Sequence, residues 1–479
     1  MTKENPSPAK SKRPLLVMKF GGTSVGNAER MEGVAAILRE YARQAELVVV
    51  VSAMGGVTDM LIRAASEASR GDRQYWKGVR QELARRHREV NDRLLSAGEQ
   101  ANVLPRLAEQ VTNFENLCSG FTMVREVTPR AMDTLSSLGE VMSATLMAAI
   151  LRSSGVAAEA VDAAELIVTD DSFGNASPFL DETRLKTAER LGPLRSRSGG
   201  VIPVVTGFRG ATREGICTTL GRGGSDYSAT ILGAVLDAHE VWIWTDVDGV
   251  MTADPRLVPG ARILPAISYR EAIELSYFGA KVLHPKTILP VMKNKIPVWI
   301  KNSFNPSCPG TRIGPVADAG APGVKAITSV SKASLVTISG RDSTSFARLA
   351  AKVFELLDVE QIATLMSTQS SADNVLCFAV HDADVARVRH TLEKAFELEI
   401  LHEYMPRPQI MPHVAIVVVI GEKMKGTPGL AGRTFGALGR NNVNIIAIAQ
   451  GSTELSISFV VKSGDVKEAV KVVHEEFQL

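Results

Sequence analysis

Several common chemistries lack the residues they need in this chain. Four cysteines, Cys118, Cys217, Cys308 and Cys377, are scattered over 479 residues and form no Cys-x-x-Cys pair. A metal site or a disulfide framework is therefore not expected, and a reducing, cytoplasmic compartment is. Net charge is nearly absent: 54 Lys and Arg face 52 Asp and Glu, leaving +2. That balance recommends neither nucleic acid nor an anionic membrane as a partner. Aromatic residues make up 5% of the chain, too few for a platform that stacks single-stranded bases. No apolar run is expected to reach the roughly 18 residues of a bilayer span. Residues 1–13 are rich in Lys, Pro and Ser without an apolar core, and read as a disordered tail rather than a signal peptide. Missing too are the G-x-x-x-x-G-K-[ST] phosphate loop, the catalytic loop and Asp-Phe-Gly of protein kinases, and a nucleophile elbow.

What is present begins with Lys19-Phe20-Gly21-Gly22-Thr23-Ser24-Val25-Gly26. Leu15-Leu16-Val17-Met18 before it reads as a buried strand. Asn27 and the acids after it read as a capped helix start. Two glycines let the backbone approach a polyanion, and the helix start adds free N–H donors. Lys19 adds a full charge beside them. The competing account is a tight strand-to-helix turn with a surface lysine.

The pattern then recurs. Leu47 to Val51 is a β-branched run ending in Ser52-Ala53-Met54-Gly55-Gly56-Val57-Thr58-Asp59. In open α/β sheets such turns line the ligand crevice. Residues 60–125 read as a charged, solvated helical hairpin around Arg85-Arg86-His87-Arg88-Glu89. Thr134 to Ile150 reads as a helix carrying Gly139-Glu140. Val201 to Thr206 reads as a strand. A second glycine loop, Thr219 to Ser228, opens another helix. The strand Val241 to Trp244 runs into Thr245-Asp246. Strands alternating with helices up to residue 300 predict an α/β fold: a mostly parallel sheet with helices on both faces. Pro, Gly, Asn and Ser dominate residues 301–325, which read as a linker able to lend a strand to a tail module.

Beyond it lies an internal repeat with a constant offset of 81 residues: Gly340 and Gly421, Phe354 and Phe435, Gln369 and Gln450, Ser371 and Ser452, Phe378 and Phe459. Two small α+β modules are expected, over 326–405 and 406–479. They are either a duplicated structural cap or a ligand-sensing pair with Gln369 and Gln450 at equivalent strand ends.

Glycine turns at strand ends flanked by Lys and Arg suit phosphoryl transfer between small molecules, where positioning and electrostatics do most of the catalysis. A carboxylate acceptor is already ionised and needs no strong base. Six motifs appear in order: Lys19 to Ser24, Val51-Ser52-Ala53, Gly139-Glu140, Gly221-Arg222-Gly223-Gly224-Ser225-Asp226, Trp244-Thr245-Asp246 and Gly279-Ala280-Lys281-Val282-Leu283-His284-Pro285. Together they resemble the aspartokinase (aspartate 4-kinase) family of the amino acid kinase superfamily. From about Leu15 to the C-terminus the likeness holds, and the tail modules resemble ACT domains.

The resemblance implies a kinase domain over 14–300 that makes 4-phospho-L-aspartate and ADP from ATP and L-aspartate. This would be the first step of lysine, threonine and methionine biosynthesis. It implies Mg²⁺ held mainly by nucleotide phosphates, with no protein metal site. Lys19 would bridge the ATP phosphates and the incoming carboxylate, with Asp226 orienting it. Gly21 and Gly22 would contact phosphate. Arg222 would grip an aspartate carboxylate, Glu140 would take the ammonium, and Ser52, Thr58 and Ser225 would complete the substrate contacts. Thr245, Asp246, Met251, Arg256, Lys281 and Val282 match the nucleotide set. Met251 stands where the family often has tyrosine, which costs an aromatic contact to the base. Asp342, Gln369 and Gln450 would bind an amino-acid effector, threonine ahead of lysine, and a homo-oligomer would form through the ACT domains. The rival functions are a kinase of the same superfamily acting on glutamate or acetylglutamate, and a non-enzymatic amino-acid sensor.

Overall fold

The apolar runs that begin at Leu15 and Leu47 are buried throughout, because each forms an inner strand of a parallel sheet covered on both faces. The computed structural model describes residues 13–197, 200–279, 283–315, 323–340, 345–370 and 374–479. It divides into two bodies. In chain order the first runs β1 (Leu15–Phe20), α1 (Ala28–Tyr41), β2 (Glu46–Val51), α2 (Val57–Arg70), α3 (Arg73–Leu94), α4 (Ala97–Val124), α5 (Pro129–Ser136), α6 (Leu138–Ser153), β3 (Ala158–Val161), α7 (Leu180–Arg195), β4 (Ile202–Thr206), β5 (Arg209–Ala211), β6 (Cys217–Thr219), α8 (Gly224–Val235), β7 (Glu240–Thr245) and β8 (Ala266–Ser268). Helix α9 (Tyr269–Tyr277) lies, from Arg270 on, in the second body, and α10 (Pro285–Lys293), β9 (Val298–Asn302) and β10 (Thr311–Gly314) return to the first.

Eight strands form one sheet in the order β3-β4-β2-β1-β7-β9-β10-β8. All neighbours are parallel except β9 and β10. Asn27 caps α1 by accepting from the Arg30 amide at 3.0 Å, as its position in the sequence suggested.

Several sequence expectations change here. Residues 60–125 are not a solvated hairpin. Helices α2, α3 and α4 bury Leu61, Trp76, Leu83, Phe114 and Cys118 in the main core. The expected absence of a long apolar stretch also fails. The consecutive helices over Pro129–Ser153 are long and apolar enough to cross a membrane by length and composition, but they are mostly buried inside the protein. Ser137, between α5 and α6, interrupts what read as one helix.

Another change concerns the linker at 301–325. Pro306, Pro309 and Gly310 (φ +85°) lie in the turn of the antiparallel β9–β10 pair, in which Thr311 faces Ile300. Strand β10 therefore belongs to the first sheet, past the expected boundary at 300.

The second body contains β11 (Ala326–Ser339), α11 (Phe346–Val359), β12 (Met366–Ser370), β13 (Val375–His381), α12 (Val385–Ala395), α13 (Glu397–Leu401), β14 (Gln409–Ile420), α14 (Leu430–Arg440), β15 (Ala447–Gln450), β16 (Ser456–Lys462) and α15 (Val466–Phe477). The 81-residue offset maps β13 onto β16 end for end and starts α12 and α15 at equivalent positions. Both modules share one antiparallel sheet, β12-β13-β11-β14-β16-β15. Strand β11 serves both: it pairs with β14 from Ala326 to Thr337, with register shifts between Val330 and Leu335, and with β13 from Ala333 to Ser339. The strand lent to the second module thus starts at Ala326, just past the stretch expected to supply it.

Residues 251–264 and 270–279 also fall in this body, although they were expected in the kinase domain. The reason is local bonding. Ala253 and Val258 join the core under β14 and β16. Thr252 Oγ1 lies 3.0 Å from His474 Nε2, and Glu271 accepts from the Lys325 ammonium (3.1 Å) and the Glu422 amide (2.8 Å).

Candidate active site

Strands β1, β2, β4 and β7 are parallel neighbours, so their carboxyl ends open on one edge of the sheet, where such folds bind ligands. Two glycine turns meet there. The Gly55 amide donates to the Gly22 carbonyl at 2.9 Å, and a Cβ on Gly22 would sit 2.9 Å from the Ala53 carbonyl oxygen. Only glycine permits that approach.

Lys19, near the end of β1, is 8% exposed and points into the crevice beside the turns. Its ammonium lies 2.5 Å from Asp226 Oδ1, in the first turn of α8. The pair fixes one full positive charge where two main-chain turns converge. Glu140 enters from the first turn of α6. A Cβ on Gly139 would meet the Ala53 side chain at 2.7 Å and Val57 at 2.9 Å, so glycine there lets the helix close on the second turn. Glu140 is 3% exposed, and its Oε2 has no hydrogen-bond partner among the described residues. Burial pushes its carboxyl up to about 7, against the opposing pull of main-chain donors at Ala53 and Glu140 and of the Arg209 and Lys19 charges. Arg222 is exposed at the loop before α8 and makes no hydrogen bond or ion pair among the described residues.

Lys19, Gly22, Ser52, Thr58, Glu140, Arg222, Ser225 and Asp226 therefore line one crevice of about 370 Å³. Gly21 is next to it, donating to the Trp244 carbonyl at 3.1 Å. Thr245 and Asp246 stand at the end of β7 in the same body. Met251 and Arg256 lie in the second body, where Arg256 is exposed and bridges to Asp254 at 2.6 Å. Gln369 and Gln450 are exposed on β12 and β15, the outer strands of the second sheet, whose Cα atoms approach within 8 Å of each other. Lys281, Val282 and Asp342 lie outside the described residues.

Sequence reasoning missed three supporting residues. Asp133, 2% exposed, accepts from the Gly174 amide (2.9 Å), the Thr219 amide (2.9 Å) and the Thr219 hydroxyl (2.7 Å), bracing the strand that leads to Arg222. Arg209 binds Asp162 and Ser137. Arg86 donates to the carbonyls of Gly26 (3.2 Å) and Gly55 (3.0 Å), tying both glycine turns to α3. A signal existed for Arg86: it lies three residues past buried Leu83 and four before buried Val90, on the inward edge of its helix. Arg86→Ala should lower kcat by up to about thirtyfold, since two carbonyl contacts of roughly 1 kcal/mol each order the turns. Steady-state kinetics checks this, and unchanged kcat would assign Arg86 to stability alone.

A model described as the amino acid kinase family matches residues 14–302, and one described as an ACT domain matches 336–396 and 417–477. The chain is 37% identical, over 97% of its length, to a chloroplastic bifunctional aspartokinase/homoserine dehydrogenase 1 of Arabidopsis thaliana, and spans 51% of that protein. It is 34% identical to the chloroplastic Aspartokinase 3 of the same plant, over 97% of this chain and 82% of the relative. Aspartokinase III of E. coli, crystallised with aspartate and ADP, superimposes with a TM-score of 0.82 at 29% identity, over 97% of this chain and all of that one. The fold, the crevice and these relatives agree: the chain belongs to the amino acid kinase family, in its aspartokinase branch with paired ACT domains.

Proposed function

We propose that this chain is an aspartate kinase, transferring the γ-phosphoryl group of ATP to the side-chain carboxylate of L-aspartate. The observation that carries the reading is the juxtaposition of Lys19, Glu140 and Arg222 around one crevice. An amino acid with two carboxylates needs one anionic and two cationic partners, and those three supply them. A carboxylate oxygen forms the new bond to phosphorus, the bond to the β–γ bridging oxygen breaks, and ADP leaves with the electron pair. Lys19 offsets the charge that accumulates as the two anions meet. Arg222 suits a planar carboxylate, which its fork can bind through two parallel hydrogen bonds. Asp226 is committed to Lys19 and orients it.

Mg²⁺ would screen the phosphates during transfer. Among the described residues no group of three or more His, Cys, Asp or Glu could hold a metal ion, and the amides and lysine of the crevice suit phosphate oxygens instead. The ion would therefore be held mainly by the nucleotide.

An acyl-hydroxamate assay across aspartate, glutamate and acetylglutamate tests the substrate. Turnover with aspartate alone supports the proposal, and turnover with another carboxylate alone sinks it.

The ACT pair would sense an amino acid, threonine rather than lysine. The exposed amides of Gln369 and Gln450 on neighbouring outer strands offer donors and acceptors suited to a small hydroxylated zwitterion. A thermal-shift titration should show stabilisation by threonine at millimolar concentration and little by lysine. At a hundredfold excess over Kd the expected gain is about 2.7 kcal/mol. No shift with either amino acid would refute the sensor role. A homo-oligomer would form through the ACT sheet, whose order ends in the outer strands β12 and β15.

A further inference from the structure

Arg209 sits where nothing in the proposed reaction has yet used it. Its side chain is 11% exposed. One terminal nitrogen lies 3.0 Å from Asp162 Oδ2 at the end of β3, and the other donates to Ser137 Oγ at 3.1 Å. Ser137 is fully buried, donates onward to the Asp133 carbonyl at 2.8 Å, and is the residue from which α6 starts. Glu140 lies in that first turn. The guanidinium is thus clamped between the edge of the sheet and the base of the helix that carries Glu140. Its Nε is buried without a partner among the described residues.

We propose that Arg209 is a positioning residue for the amino-acid substrate: it fixes the start of α6 and presents a permanent positive charge to the Glu140 carboxylate that receives the substrate ammonium. This rests on the aspartate kinase reading above. An ammonium is held by a carboxylate and poorly by a neutral acid, so whatever keeps Glu140 ionised governs affinity for the amino acid.

The electrostatics agree with the geometry. Burial raises the Glu140 carboxyl to about 7, and Arg209 precedes Lys19 among the charges that oppose the rise. Asp162 offsets part of the guanidinium charge, but it is 29% exposed and better screened than its partner. Among the described residues, the other charged or titratable groups around the crevice and the guanidinium include Lys19, Asp59, Asp133, Cys217, Arg222 and Asp226. Burial pushes the Cys217 thiol up, so it stays neutral through the neutral pH range, and Asp133 rises from the usual carboxylate value for the same reason.

These charges set the direction of the effect. Below about 7 neutral Glu140 accumulates, and kcat/KM for aspartate falls. Removing the Arg209 charge disfavours the carboxylate further, so the acid limb moves to higher pH. The test is the pH profile of kcat/KM for aspartate between about pH 6 and 9, with KM for ATP as control. For Arg209→Gln the limb should move up by about one unit, which makes KM for aspartate about fivefold larger at about pH 7 and about tenfold larger well below the limb. KM for ATP should stay within about twofold. Arg209→Lys keeps the charge and should restore the wild-type limb even if KM rises at every pH. Arg209→Met fills the same buried space without charge, and replaces the Gln variant if that one fails to fold.

An active, folded, uncharged variant whose limb coincides with wild type would overturn the proposal, and so would equal limb shifts in the Gln and Lys variants. Wild-type protein inactive with aspartate would instead overturn the kinase reading, so the two failures are distinct.

Discussion

Lys19→Ala is expected to lower kcat by about a thousandfold, the largest single loss the crevice allows. Two anions must come together beside this ammonium, and a unit charge at about 4 Å is worth roughly 4 kcal/mol at an effective dielectric constant near 20. That energy is about three powers of ten in rate. The loss has a second source. Asp226, 2.5 Å from the ammonium, would be left as an uncompensated carboxylate facing the incoming phosphates. Adding Asp226→Ala to Lys19→Ala should therefore recover about tenfold. Lys19→Ala also breaks a largely buried ion pair, so its melting temperature should fall, and kinetics must be measured well below it. Turnover within tenfold of wild type, under about 1.4 kcal/mol, would remove Lys19 from the catalytic role.

Features of this fold were legible in the sequence where a residue's partner lay close along the chain. The strand-turn-helix units at Lys19, Ser52 and Gly221 were legible because glycine pairs, β-branched runs and a cap at Asn27 are local signals. The tail duplication was legible because equivalent positions keep one spacing, and β13 and β16 obey it residue for residue. Errors arose where tertiary contacts decide. Arg86 resembled its solvated neighbours Arg85 and Arg88; helical phase puts it on the inward edge, but its bonds to two distant carbonyls have no local sign. The Pro and Gly residues after 302 marked a turn correctly, but a turn within a hairpin and a break between domains have the same composition. Thr252, Glu271 and Glu274 carry no local sign that they bond to His474, Lys325 and Ser456, far along the chain. Placing residues 251–264 with the tail modules therefore required the structure.

Arg222 lines the crevice and Arg209 stands behind it at the start of α6, and their surroundings assign them different work. Arg209 is enclosed and its terminal nitrogens are occupied by Asp162 and Ser137, so it has no free fork for a ligand. Arg222 is exposed and without a bond among the described residues, and it starts from a loop in which Gly221 and Gly223 both take positive φ (76° and 73°). Its guanidinium is therefore the one with donors to spare for a substrate carboxylate. Arg222→Ala should raise KM for aspartate about a hundredfold, because losing a charged, hydrogen-bonded contact costs roughly 2–5 kcal/mol. The contact is made equally in the ground and transition states, so kcat should change less than about threefold. Arg222→Lys keeps the charge but loses the paired geometry, and should fall near a tenfold increase. Initial-rate kinetics with aspartate varied at saturating ATP separates these cases. If instead Arg222→Ala lowered kcat by orders of magnitude at unchanged KM, the guanidinium would be acting on the transferring phosphoryl group, and the carboxylate would need another partner.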